Sequence, residues 1–268
     1  MNVRWGNFWL ALSAFAAMGF LIAPLVMVIV ISFTASEFLT FPTEGFSLRW
    51  YLALADNAQF IEATWKSFQL AVACSLVATL LGTATAISIY RFRFIGRELI
   101  HILILSPLML PQLILAISLL IYLSRLGLPG SFFNLLVGHV LVTLPFVVRL
   151  VLVAMERIDP NIERAATVAG ASRIQVFFKI TVWLIFPGMF AGAAFAFIMS
   201  FDNIVVSLFF TTSRFVTLPV EIYEYLENAD DPLITSISSV VIFMIVGLLL
   251  IIEKTVGFTK SFTAVEHG

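Results

Sequence analysis

Cys74, His101, His139, Ser200 and Asp202 are the residues whose types could supply a nucleophile, a base or a metal ligand within the apolar parts of this sequence. A working nucleophile needs a base beside it, and a zinc hydrolase needs ligands at helical spacing. Neither histidine belongs to H-E-x-x-H, no G-x-S-x-G turn is present, and no cysteine–histidine pair or carboxylate pair falls at catalytic spacing. Cys74 is the sole cysteine, which excludes an internal disulfide and a cysteine-based zinc cluster. No catalytic residue and no metal site is therefore assigned. His139 reads as a packed or backbone-bonded histidine, His101 as an interfacial one and Cys74 as a small core filler. No G-x-x-x-x-G-K-S/T phosphate loop occurs. If this chain works with ATP, another subunit must hold the nucleotide.

What must position these residues is set by composition. Soluble chains are ~45–50% apolar and ~25% charged, whereas this one is 61% hydrophobic and 12% charged. Each helical crossing of a bilayer takes roughly 20 apolar residues. Long apolar runs predict six spans, at about Phe8 to Phe33, Trp65 to Tyr90, Leu99 to Ser124, Phe132 to Met155, Ile180 to Phe201 and Ile234 to Ile252. The expected fold class is all-α, a single six-helix membrane domain over 1–268. The first run exceeds the ~7–15 residues of a signal-peptide core, so it is expected to be a retained anchor despite Ala14-Phe15-Ala16.

Orientation follows from the basic residues. With a cytoplasmic N-terminus, the inner segments carry Arg4, Arg91, Arg93, Arg97, Arg149, Arg157, Arg164, Arg173, Lys179, Lys254 and Lys260, eleven of the fifteen Lys and Arg. The positive-inside rule then places both termini in the cytoplasm. Arg91, Arg93 and Arg97 read as a topology and headgroup cluster. The outer segments are acidic, with Glu37, Glu44, Asp56 and Glu62 in the first and Glu221, Glu224, Glu227, Asp230 and Asp231 in the last. Those charges could concentrate cations, meet basic patches of a soluble partner, or be the ordinary counterpart of positive-inside topology, and docking together with topology is the favoured reading. Pro107, Pro111 and Gln112 interrupt the third span and Pro145 the fourth, while Gly82, Ala84, Ala86, Gly188, Gly192, Ala193 and Ala194 permit close helix approach. Asp202 and Asn203 fall where the fifth span emerges on the outer side. They are the candidate substrate-pathway residues, with a solvated helix cap as the alternative.

One inner segment, about 156–179, is unlike a linker. Asp159-Pro160 reads as an N-cap followed by proline at the first helical position. Ile162, Ala165, Ala166 and Ala169 then form an apolar stripe, with Glu163, Arg164 and Thr167 facing elsewhere. Gly170 offers the left-handed turn that ends a helix. Ser172-Arg173-Ile174-Gln175 fits a capping box that starts a second helix, which runs into the fifth span. Periodicity alone leaves two readings open, a docking surface for another protein and an amphipathic elbow on the membrane.

Glu163-Arg164-Ala165-Ala166-Thr167-Val168-Ala169-Gly170-Ala171-Ser172, with Ile180 beyond, resembles the EAA loop of the permease subunits of binding-protein-dependent ABC importers. Arg164 stands where that pattern has glutamate, Val182 where it has leucine and Trp183 where it has proline; Glu163 is the neighbouring carboxylate that could substitute. Ser200 to Phe209, Thr217 to Tyr223 and Asp231-Pro232 are similar to segments of the spermidine/putrescine branch. The resemblance implies alternating-access import of a small solute such as a polyamine, with opine, phosphonate and iron permeases as related branches. It implies a loop that docks on a cytoplasmic ABC ATPase dimer, through Asp159, Pro160, Glu163, Arg164, Ala165, Ala166, Gly170, Ala171, Ser172, Arg173 and Gln175. It also implies a second permease, identical or homologous, a periplasmic solute-binding protein and ATP with Mg bound by the ATPase, with no cofactor in this chain. The implied location is the bacterial inner membrane, with lipid around the chain and no nucleic-acid partner. Two rivals are an ion-coupled secondary transporter, which calls for an inverted repeat, and an intramembrane hydrolase, which calls for a catalytic constellation. Neither feature is found.

Overall fold

Apolar backbone can satisfy its own polar groups inside a bilayer by coiling into helices. The computed structural model describes residues 3–128, 130–212 and 214–256, and among these residues it holds helices, an isolated bridge between Thr212 and Phe215, and no strand. Five helical stretches are long and apolar enough to cross a membrane: Phe8–Ser32, Ala58–Arg91, Phe132–Glu156, Arg173–Phe201 and Leu233–Lys254. Lys260 of the orientation argument lies outside the described residues.

The third expected span, Leu99 to Ser124, is a broken pair: Arg97–Leu108 and Gln112–Arg125 are together long and apolar enough to cross, and they meet at 109°. Pro107 sits in the tight turn Ser106–Leu108, and Pro111, in extended backbone at ψ 125°, caps the helix that follows. Proline lacks the N–H that would carry the ladder, although Ser106 before Pro107 keeps helical angles, φ −56° and ψ −35°. Two prolines four positions apart therefore break the span. Met109 and Leu110, between them, are exposed.

The chain divides into two compact units. The first comprises residues up to Ile61 together with Ile222–Leu249. It contains α1 (Val3–Ser32), α2 (Arg49–Asp56), the start of α3 (Ala58–Arg91) and much of α11 (Leu218–Asn228) and α12 (Leu233–Val256). Over Phe8–Ser32 none of the most apolar window of α1 is buried. At its end Ser32 bonds the Tyr51 hydroxyl at 2.7 Å, and that hydroxyl donates to Ser239 Oγ at 3.2 Å. Ser236 Oγ also donates to the Ser32 carbonyl at 3.3 Å.

The second unit comprises Glu62–Glu221 and the residues from Leu250 onward. It adds α4 (Arg97–Leu105), α5 (Gln112–Arg125), α6 (Phe132–Glu156), α7 (Pro160–Val168), α8 (Arg173–Val176), α9 (Val182–Phe201) and α10 (Ile204–Phe210). Its core has two clusters. One gathers Leu70, Leu115, Leu135, Val206 and Phe210. The other gathers Ala78, Ala86, Val148, Val151, Met155 and Ile185. Small residues set the helix spacing. A Cβ on Gly82 would lie 2.7 Å from Val147 Cγ1, and one on Gly192 would lie 3.1 Å from the same atom. Val147 is thus held between two glycines, one on α3 and one on α9. Ala86 is fully buried, whereas Ala84, expected to pack, is exposed.

Candidate functional site

The segment between α6 and α9 folds as its caps dictate. Asp159 accepts from the Asn161 N–H at 2.9 Å, and Pro160 opens α7. Gly170 has φ 91°, the left-handed conformation that a Cβ makes costly. Two bonds close the turn there, Ala171 N–H to the Ala166 carbonyl at 3.1 Å and Gly170 N–H to the Thr167 carbonyl at 3.0 Å. This is the paired closure of a Schellman motif. Gln175 N–H donates to Ser172 Oγ at 3.3 Å while Ser172 N–H donates to Gln175 Oε1 at 2.8 Å, completing the capping box. The chain continues through a π-helical turn, Phe177–Thr181, into α9, so that Arg173–Phe201 is one helical stretch.

Where α7 rests is set by its charged face. Glu163 pairs with Arg91, the last residue of α3. Thr181 Oγ1, in the π-helical turn, donates to Glu163 Oε1 at 2.6 Å and accepts from Arg91 Nη2 at 2.9 Å. Arg91, expected with Arg93 and Arg97 as a topology and headgroup cluster, also anchors the loop. No local signal connects positions 72 residues apart, so neither Arg91 nor Thr181 was found by spacing. Glu163, the neighbouring carboxylate of the family's glutamate position, is half-buried and spends its charge on Arg91 and Thr181. The apolar stripe turns outward: Ile162, Ala165 and Ala169 are exposed, and Ala166 is half-buried. Val168 is 89% and Ile174 71% exposed. Between α7 and α8 lies a groove of about 640 Å³ lined by Arg91, Glu163, Arg164, Val168, Arg173 and Val176 among others.

The two candidate pathway residues part company. Asn203 is buried, and its side-chain oxygen accepts from the Val206 N–H at 2.9 Å, capping α10. Asp202, at the C-terminal cap of α9, is exposed, and partial desolvation by its surroundings pushes its carboxyl pKa up. Nearby helices are tied by His139, which bonds Ser200 Oγ at 2.8 Å through Nδ1 and Ser207 Oγ at 3.2 Å through Nε2. That ring joins α6, α9 and α10. Cys74 is buried against Thr143 Oγ1 at 3.3 Å. On α11, burial and the bond to Asp231 at 2.7 Å push the Tyr225 hydroxyl pKa up to about 12. Among the described residues, no three His, Cys, Asp or Glu side chains converge as a metal site requires. The arrangement provides a doubly capped projection tied to α3 and a polar helix break.

Comparison with known proteins agrees with this geometry. Residues 78–253 match the family described as "Binding-protein-dependent transport system inner membrane component". The spermidine/putrescine transport system permease protein PotC of Escherichia coli is 32% identical over 91% of this chain and 94% of its own length. The putrescine transport system permease protein PotI of Escherichia coli is 30% identical over 83% of this chain and 82% of its own length. A chain in the crystal structure of a bacterial ABC transporter that imports the acidic polysaccharide alginate shares the fold. It has a TM-score of 0.68 at 18% identity and covers 97% of this chain and 96% of that one. The match over most of the second unit, together with near full-length likeness to two permeases, shows that this chain belongs to the family of inner-membrane components of binding-protein-dependent transport systems.

Proposed function

We propose that this chain is one permease subunit of an ATP-driven importer that carries a polyamine such as spermidine or putrescine across the bacterial inner membrane. The observation that carries the substrate class is the 32% identity to PotC spread over 91% of the chain. Exposed Asp202 supports it, since a carboxylate at the end of a span attracts organic cations. In this reading both termini and the 156–179 segment lie in the cytoplasm, in line with the positive-inside rule. The segment docks on an ABC ATPase dimer that binds ATP and Mg, while this chain holds no nucleotide. A second permease, identical or related, completes the pathway, and a periplasmic solute-binding protein delivers the cargo. Closure of the ATPases moves the docked loop, and the continuous helix Arg173–Phe201 carries that motion to the other face. Chemistry remains with the ATPase, and the permease contributes mechanical coupling.

Proteoliposomes containing this chain, its second permease, its ATPase and the solute-binding protein should accumulate radiolabelled spermidine or putrescine with ATP inside and all ion gradients collapsed. Uptake that persists without ATP, driven by an imposed ion gradient, would overturn the reading.

A further inference from the structure

The groove between α7 and α8 is lined by four charged side chains, Arg91, Glu163, Arg164 and Arg173. The single carboxylate among them is tied to Arg91 and to Thr181 Oγ1. Arg164 and Arg173 are exposed and, among the described residues, neither has an ion-pair partner. Beside them stand Val168 and Ile174, both strongly exposed. The outward chemistry of this projection is therefore two free guanidinium groups flanking apolar side chains, with the family's glutamate position occupied by Arg164.

We infer that the surface of the ATPase receiving this loop is acidic, presenting Asp or Glu side chains to Arg164 and Arg173 and an apolar patch to Val168 and Ile174. The inference rests on the coupling role proposed above and deepens it. Guanidinium groups pair with carboxylates in a planar, two-pronged geometry, which sets register as well as attraction. A concave cleft walled by two helices favours a protruding carboxylate side chain over a flat plane of headgroups. Glu163, the carboxylate lining the groove, is already paired with Arg91 and Thr181, so the charges left for a partner there are cationic. Charge complementarity of this sort discriminates against ATPases that present arginine or lysine at that place.

The test uses the full chain co-expressed with its second permease and ATPase and purified in lipid nanodiscs. Arg164→Lys and Arg173→Lys keep the charge and introduce amines that a zero-length carbodiimide joins to carboxylates in contact. The expected result is crosslinks from both lysines to Asp or Glu of the ATPase. The double reversal Arg164→Glu/Arg173→Glu should lower ATPase retention by about tenfold or more, a larger loss than in the lysine variants, which keep the charge but not the fork. Retention unchanged by the double reversal, with no carbodiimide product on the ATPase, overturns the inference. In that case a longer crosslinker placed by Ala166→Cys separates two failures. Capture of the ATPase from Cys at that position means the loop docks by other chemistry, and no capture means the coupling reading itself has failed. Reversal that weakens binding to phosphatidylglycerol vesicles and leaves ATPase retention intact also overturns the inference, assigning the arginines to lipid.

Discussion

Arg91 at the end of α3 and Glu163 on α7 form an ion pair that fastens the 156–179 segment to α3, with Thr181 Oγ1 bridging both. The pair is about one-quarter exposed on each side, so its worth is about 1 kcal/mol and not the several expected of a fully buried pair. Arg91→Ala and Glu163→Gln should each loosen α7, raise hydrogen exchange across 160–169 and lower ATP-coupled uptake several-fold at normal membrane insertion. A double-mutant cycle on uptake should return a coupling energy of about 1 kcal/mol. Strict additivity of the two changes would show that the pair does not act as a unit.

Gly170 has open space where a Cβ would sit, so only its backbone angle resists substitution. Gly170→Ala should cost about 1 kcal/mol locally through the left-handed conformation. Gly170→Pro cannot reach φ 91° at all, since proline holds φ near ~−65°. The proline variant should insert normally, as judged by protease protection and yield, yet lose ATP-driven uptake. Normal uptake at normal expression would remove the loop from the coupling path.

Asp202 and Asn203 are neighbours with different duties, and two substitutions tell them apart. Asn203→Ala removes the cap of α10 and should lower thermal stability by about 1 kcal/mol with little change in the substrate KM of whatever folds. Asp202→Asn should leave stability nearly unchanged and raise KM for a cationic substrate. The pH dependence has a definite sign. The Asp202 pKa is raised by desolvation, so its negative charge is present above that pKa and is lost as pH falls through it, earlier than for a free aspartate. Uptake should therefore decline on the acid side in the native chain, and Asp202→Asn should flatten that limb.

His139 is fully enclosed and bonds a serine at each ring nitrogen. His139→Leu would leave Ser200 and Ser207 without that partner in the core, a loss of about 1–3 kcal/mol. The melting temperature in detergent should fall by several degrees. Ser207→Ala, whose bond at 3.2 Å is the longer of the two, should cost less than Ser200→Ala. The reverse order would mean that the ring takes its support from Ser207.

Local chemistry was readable from the chain, and non-local pairing was not. The Asp159 cap, the Gly170 turn and the Ser172–Gln175 box depend on residues within a few positions of one another, so spacing revealed them. Pro107 and Pro111 announced an interruption of the third span, but residue spacing does not encode the 109° angle between its halves. Arg91 looked like one member of a basic cluster because nothing in sequence ties it to Glu163 or Thr181. That Asn203 caps α10 was not readable either, because cap and pathway use the same polar atom types at a helix boundary. The polar ring of His139, Ser200 and Ser207 was similarly hidden, since three separated residues meet only after α6, α9 and α10 have packed.

The unbroken stretch Arg173–Phe201 is 29 residues long, which at the helical rise amounts to about 40 Å. A rod of that span acts as a lever: pivoting it by about 10° near one tip sweeps the opposite tip through roughly 7 Å, more than the width of an amine. It softens at two places, the π-helical turn at Phe177–Thr181, next to the α7–α8 loop, and Pro187 within α9, where the ring removes one ladder bond.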